Sequence, residues 1–161
     1  MTLQNKKTIA IFPGSFDPVT LGHLDIIKRA CEVFDQVVVA IGENPDKRSL
    51  FSIHKRIEII ANCISDIPNA CVESYSGLTV DFADKIGASA IIRGLRNAHD
   101  FQYEAQIAVT NQAVSGIETF FMMTAPEHAF TSSSLIRQLA DMGGDISKLV
   151  PQIVIKELKS L

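Results

Sequence analysis

Five short runs of apolar, largely β-branched residues recur along this chain: Thr8–Phe12, Val37–Ile41, Ala70–Tyr75, Ala88–Ile92 and Thr119–Met123. Longer stretches with helical spacing separate them. This alternation constrains the fold more than any other feature, because strands that alternate with helices assemble into a parallel sheet through right-handed crossovers, with helices on both faces. Four of the runs are nearly continuous in apolar residues, the pattern of strands covered on both sides, whereas Ala70–Tyr75 alternates more and is expected at a sheet edge. Between the runs, Ile26, Ile27, Ala30, Val33 and Phe34 share helical spacing, as do Ile53, Ile57, Ile60 and Ile64 behind a Ser52 cap, and Val80, Ala83 and Ile86 ahead of Gly87. Further helices are expected from about Asp100 to Val114, from Ser132–Ser134 to Met142, and after Pro151. The pattern predicts an α/β, doubly wound five-stranded parallel sheet. A length of 161 residues places residues 1–161 in a single domain and leaves no room for a second one.

Charge and hydropathy narrow the partners. With 15 Lys and Arg against 18 Asp and Glu, the formal charge is −3. Nucleic acid is therefore not expected, since its binding needs a basic surface that releases counterions. No apolar stretch approaches the ~18 residues that cross a bilayer, and Met1–Lys7 is polar, so a cytoplasmic protein without a membrane partner is expected. Cys31, Cys63 and Cys71 are widely spaced with no C-x-x-C pair, which predicts reduced thiols and no zinc site.

Doubly wound sheets bind ligands beyond the carboxyl ends of their strands, where the strand order reverses. In the common order 3-2-1-4-5 the first and fourth strands flank that crevice. The first run leads into Pro13-Gly14-Ser15-Phe16-Asp17-Pro18-Val19-Thr20-Leu21-Gly22-His23. Gly14 and Gly22 allow close backbone approach, and the helix start that follows offers N–H groups and a positive dipole end to a phosphate. Neither G-x-G-x-x-G nor G-x-x-x-x-G-K-[ST] is present, which argues against a Rossmann dehydrogenase or a P-loop ATPase. His23 falls in the first helical turn, within reach of the same phosphate; position alone suits a solvated histidine equally well. Asp17 precedes a proline and is expected to stabilise a turn rather than ligate a metal.

Two arginines bracket a glycine in Arg93-Gly94-Leu95-Arg96 after the fourth run. Their planar forks match phosphate oxygens bidentately, so the pair suits an oligophosphate. After the fifth run, Ala125–Thr131 precedes Ser132-Ser133-Ser134 and Arg137. One of these serines is expected to cap the helix, and three in succession exceed what a cap needs. Lys47, in Asn44-Pro45-Asp46-Lys47-Arg48 after the second run, adds a cation at the same edge. His54 and His99 are expected to be solvated.

Taken together, Gly14-Ser15-Phe16-Asp17-Pro18 with Thr20-Leu21-Gly22-His23, then Arg93–Arg96, then the Ser132–Ser134 helix start resemble the bacterial phosphopantetheine adenylyltransferases, from about Thr8 to the end of the chain. The T-x-G-H element marks the wider nucleotidylyltransferase superfamily, with its Rossmann-like fold. R-G-L-R at this spacing and Tyr103-Glu104 narrow the resemblance. Two departures stand out: Phe12 sits where the family often has Tyr, and His128 where it often has Tyr or Trp.

The resemblance implies transfer of AMP from ATP to 4′-phosphopantetheine, giving dephospho-coenzyme A and pyrophosphate in coenzyme A biosynthesis. By match to the family, Ser15, Lys47, Thr79 and Arg93 would bind phosphopantetheine. ATP would be bound by Ser15, Phe16, His23, Gly94, Leu95, Arg96, Glu104 and the loop His128, Ala129, Phe130, Thr131, Ser132, Ser133 and Ser134. Family members use Mg²⁺, commonly form homohexamers, and imply feedback binding of coenzyme A.

The residues themselves favour direct in-line transfer. Cys31 lies in a helix expected to pack on the sheet, and no serine has the base and orienter that activate a nucleophile. A phosphate monoester is already anionic near pH 7, so no general base is required. Catalysis then rests on positioning and on stabilising transition-state charge, with His23 as the donor to the α-phosphate. Arg96 and the Ser132–Ser134 amides would hold pyrophosphate, and Lys47 and Arg93 would offset repulsion between the reactants. No carboxylate cluster follows a strand, so Mg²⁺ is expected to arrive on the nucleotide, with no metal site in the protein. The rival readings are a nucleotidylyltransferase for nicotinamide mononucleotide or one using CTP, which R-G-L-R disfavours, and a non-catalytic adenine-nucleotide sensor, which His23 disfavours.

Overall fold

A computed structural model describes residues 7–43 and 49–160. Lys47 lies outside the described residues. The described chain alternates β1 (Ile9–Gly14), α1 (Leu21–Cys31), β2 (Gln36–Gly42), α2 (Ile53–Cys63), β3 (Ala70–Tyr75), α3 (Thr79–Lys85), β4 (Ala90–Leu95), α4 (Ala98–Ser115) and β5 (Glu118–Met123). A short 3-10 turn at Pro126–His128 then precedes α5 (Ser133–Asp141) and α6 (Gln152–Leu158). All paired strands are parallel, in the order β3-β2-β1-β4-β5. The strand order reverses between β1 and β4, so the loops after these two strands open on the same crevice.

Strand alternation splits the core into two layers. On one face Phe12, Val37, Val39, Ile41 and Ile92 meet Ile26, Ile27 and Ala30 of α1, Ile59 and Ile60 of α2, Ile136 of α5 and Val154 of α6. On the other, Ile11, Val38, Ala40 and Ile91 meet Val80, Phe82 and Ala83 of α3. Each fully buried aliphatic side chain contributes about 1.5–3 kcal/mol. Side-chain caps fix where the helices begin: Thr20 accepts from the His23 N–H, Ser52 from Lys55, Asn97 from Asp100 and Ser132 from Leu135.

Three sequence expectations change. β1 and β4 run further than their apolar runs, because Pro13 and Gly14 still pair with Ala40 and Ile41, and Arg93–Leu95 with Phe121–Met123. Arg93 and Gly94 are therefore strand residues rather than a loop. α1 stops at Cys31, leaving Val33 exposed instead of buried. β5 is the second sheet edge, not a strand covered on both sides: Phe120 and Met123 are about half exposed. α4, which packs near it, buries no residue along its 18 positions.

Candidate active site

A pocket of about 280 Å³ opens at the carboxyl ends of β1 and β4. The site residues expected from the sequence that line it are Ser15, Phe16, His23, Arg93, Gly94, Arg96, Glu104, Thr131, Ser132 and Ser133. Leu95, Thr79, His128, Ala129, Phe130 and Ser134 lie outside its lining. Leu95 is a buried strand residue, Phe130 is exposed, and the Thr79 hydroxyl hydrogen-bonds the Tyr75 hydroxyl at 2.7 Å.

The geometry of His23 follows from its place in α1. The backbone N–H of Thr20 donates to His23 Nδ1 at 3.0 Å, and the His23 N–H donates back to Thr20 Oγ1 at 3.3 Å. A backbone N–H can only donate, so Nδ1 must be the acceptor nitrogen of a neutral ring, and the proton sits on Nε2. Desolvation lowers the His23 pKa from 6.5 to about 4, with Arg96 and then Arg93 adding repulsion. At neutral pH the ring is thus an uncharged Nε2–H donor. An edge contact with Phe16 and a tilted one with Phe12 hold it.

Neither arginine is a free cation. Arg93 donates through Nε and Nη2 to the two oxygens of Glu104 at 2.7 and 2.6 Å, and through Nη1 to the Pro13 carbonyl at 2.6 Å. Arg96 makes the same fork with Asp100, at 2.8 and 2.9 Å, and its backbone N–H donates to that carboxylate as well. This hydrogen bonding holds the Asp100 carboxyl below the usual carboxylate range. His23, Arg93 and Arg96 converge in one pocket as expected, and the two guanidiniums are each paired with a carboxylate, held in place, and left with N–H groups for an incoming anion. Asp100 was missed in the sequence; its i,i+4 spacing from Arg96 was the available signal.

The helix starts also differ from expectation. At α1, Leu21 N–H donates to the Leu149 carbonyl, His23 N–H to Thr20 Oγ1 and Leu24 N–H to the Thr20 carbonyl. Capping therefore occupies most of the donors expected for phosphate, and the Gly22 N–H is left without an acceptor among the described residues. Gly22 has a second reason to lack a side chain: a Cβ would meet His128 Cβ at 3.2 Å. At α5 each serine hydroxyl is engaged, Ser132 as the cap, Ser133 to the Pro18 carbonyl and Ser134 with Arg137. The N–H groups of Ser133 and Ser134, with no acceptor among the described residues, remain as anion donors. Arg137 turns away from the pocket and donates to the Asp17 carbonyl.

Asp17 does more than stabilise a turn. Its buried carboxylate accepts from the N–H groups of Leu50 and Phe51 at 2.7 and 2.9 Å, tying the segment that enters α2 to the loop after β1. Among the described residues no group of three His, Cys, Asp or Glu is placed to hold a metal ion. The two carboxylates beside the pocket, Glu104 and Asp100, are already bound to arginines, so a protein-held Mg²⁺ does not fit there. No described helix is long and apolar enough to cross a membrane.

Comparison with known proteins agrees with this arrangement. Residues 11–139 match the family described as Cytidylyltransferase-like. The phosphopantetheine adenylyltransferase of Caldanaerobacter subterraneus subsp. tengcongensis is 50% identical over 151 residues, covering 93% of this chain and 94% of that protein. That of a Synechocystis strain is 48% identical over 153 residues, covering 94% and 96%. A crystal structure from Vibrio parahaemolyticus, provisionally named a nicotinate-nucleotide adenylyltransferase, superposes with a TM-score of 0.69 at 24% identity over 94% of this chain and 98% of that one, a likeness of fold. With half of its residues shared over nearly its whole length, and T-x-G-H and R-G-L-R meeting in one pocket, the chain belongs to the phosphopantetheine adenylyltransferases, within the cytidylyltransferase-like family.

Proposed function

We propose that this protein transfers the adenylyl group of ATP to 4′-phosphopantetheine, releasing pyrophosphate and dephospho-coenzyme A. The observation that carries the reading is the fixed tautomer of His23: a neutral ring whose Nε2–H is its one available donor, in the wall of a pocket lined by Arg93, Arg96 and the start of α5. The acceptor phosphate attacks the α-phosphorus, the bond from that phosphorus to the bridging oxygen breaks, and pyrophosphate leaves with the electron pair. Charge builds on the α-phosphoryl oxygens, and a preorganised neutral donor stabilises it without a proton transfer. Arg93 serves the acceptor phosphate, while Arg96 with the Ser133 and Ser134 N–H groups receives pyrophosphate. Thr131 Oγ1 is buried without a hydrogen-bond partner among the described residues, in the lining of the same pocket. Mg²⁺ supplied with ATP would offset the negative charge of its phosphates. Lys47 and Thr79 remain candidates for the acceptor. Coenzyme A, which carries both halves of the product, would compete for the same pocket.

Association into a homohexamer is the reading we favour for the apolar side of the molecule. Phe101, Tyr103, Val109 and Val114 of α4 and Phe120 and Met123 of β5 are exposed in the single chain, and burial between copies would remove them from water. Light scattering should give six times the chain mass. The decisive assay is incubation with ATP, Mg²⁺ and 4′-phosphopantetheine, with mass detection of dephospho-coenzyme A. Binding of ATP with no pyrophosphate released by any acceptor would refute the reading.

A further inference from the structure

The loop after β1 is held by its carbonyls from neighbouring helices. Arg137 of α5 takes the Asp17 carbonyl and Ser133 takes that of Pro18 at 2.8 Å. From α2, Arg56 Nη1 donates to the Ser15 carbonyl at 2.9 Å. Arg56 is only 7% exposed, its Nε is buried without a hydrogen-bond partner, and no ion pair joins it to a carboxylate among the described residues. A guanidinium kept in this setting costs desolvation energy that a structural aliphatic residue would avoid.

The effect of that bond follows from peptide geometry. Between residues 15 and 16 the peptide is trans, since the one cis bond among the described residues is Asp17-Pro18. In a trans peptide the N–H points opposite to the carbonyl. A Ser15 carbonyl drawn towards α2 therefore sends the Phe16 N–H away from α2, and that N–H donates to no acceptor among the described residues. Phe16 sits at φ 46°, a left-handed conformation that a bulky residue holds only when its surroundings impose it. The Phe16 ring is fixed over Gly14, where a Cβ would come within 3.0 Å of it.

We propose that Arg56 is a positioning residue of the transfer site: by holding the Ser15 carbonyl from α2 it turns the Ser15–Phe16 peptide so that the Phe16 N–H faces the pocket as a donor to a nucleotide phosphate. The inference rests on the adenylyl-transfer reading, and it separates Arg56 from the residues that touch substrate.

The test uses Arg56→Met, which keeps the bulk of the side chain but no donor, and Arg56→Lys, whose ammonium can reach the same carbonyl. Expected for Arg56→Met is a fall in kcat of about 10- to 100-fold, the scale of a misplaced reacting group, with KM for 4′-phosphopantetheine changed less than the turnover. Arg56→Lys should recover most of the turnover. The backbone readout is the Phe16 amide resonance in a ¹⁵N-labelled protein titrated with Mg²⁺-ATP: it moves downfield in the wild type and in Arg56→Lys, and loses that response in Arg56→Met. Wild-type turnover in Arg56→Met overturns the proposal, as does a Phe16 response to ATP that the substitution leaves intact. Should Arg56→Met not fold, a folded Arg56→Lys whose Phe16 amide ignores ATP overturns it. Failure of the wild type to make dephospho-coenzyme A would refute the reaction, whereas the amide titration reads the placement of the Phe16 N–H independently.

Discussion

The two sides of this sheet treat their side chains in opposite ways. Around β1, α1, α2 and α5 the interior holds polar groups: buried Asp17 and Arg56 bind backbone atoms of distant segments, and buried Thr20 caps α1. Along α4 and β5 the reverse holds: no residue of an 18-residue helix is fully buried, and large apolar side chains face outward. The first side is a frame built before any ligand arrives, which is what charge stabilisation in a transition state requires. The second is the surface that the proposed association of subunits would cover. Substitutions on the first side should therefore change turnover or protomer stability, and those on the second should change assembly.

The largest effect is expected at His23. His23→Ala should lower kcat about 100- to 1,000-fold, or about 2.7–4 kcal/mol, with KM for ATP changed far less. Steady-state kinetics on protein of unchanged circular dichroism measures this, and near-wild-type turnover would remove His23 from the chemistry. Arg93→Ala, by contrast, should mainly raise KM for the acceptor; weakened ATP binding with an unchanged acceptor KM would mean that the two arginines exchange roles.

Asp17 tests the frame itself. Asp17→Ala leaves the half-buried Leu50 N–H and the buried Phe51 N–H without their acceptor, at about 3 kcal/mol by urea unfolding. Asp17→Asn retains one acceptor oxygen and should recover part of that loss. Equal stability of the alanine variant and the wild type would show that the contact does not hold the loop.

His23 also links the frame to pH. Its folded pKa of about 4 lies below the ordinary 6.5, so between these values the unfolded chain binds a proton that the folded chain refuses. Stability from this group is complete above about pH 6.5 and is lost as pH falls towards 4, by at most about 3 kcal/mol. The ring proton resonance of His23 should titrate with a midpoint near 4 in the ligand-free protein. A midpoint at 6.5 would mean a solvated ring and a charged donor at mildly acid pH.

Much of this was legible in the sequence, for identifiable reasons. The edge position of Ala70–Tyr75, the Ser52 cap and a cap within Ser132–Ser134 follow from local patterns, and the strand order is the common one for this fold class. What stayed hidden depends on docking between distant segments. Arg93 meets Glu104 only because α4 lies against β4, and Arg56 meets the Ser15 carbonyl across 41 positions of sequence. Apolar content also misled: Thr119–Met123 has the composition of a covered strand, yet its place at the sheet edge leaves Phe120 and Met123 outward. The same run suits burial when subunit contact provides the cover.

The smallest effect on the isolated chain, and the sharpest contrast with Asp17, is expected on that surface. Val109 is 70% exposed in the middle of α4, so Val109→Glu removes no protomer packing and should change protomer stability by no more than about 0.5 kcal/mol. Within a subunit contact the same substitution would bury an unpaired carboxylate, which such contacts exclude. The wild type should sediment as an assembly and have a melting temperature that rises with protein concentration, because association stabilises the folded state by mass action. Val109→Glu should sediment at lower mass, with unchanged circular dichroism and a melting temperature independent of concentration. A variant that assembles like the wild type would move the contact off this face of α4 and leave the exposed edge of β5, with Phe120 and Met123, as the surface to substitute next.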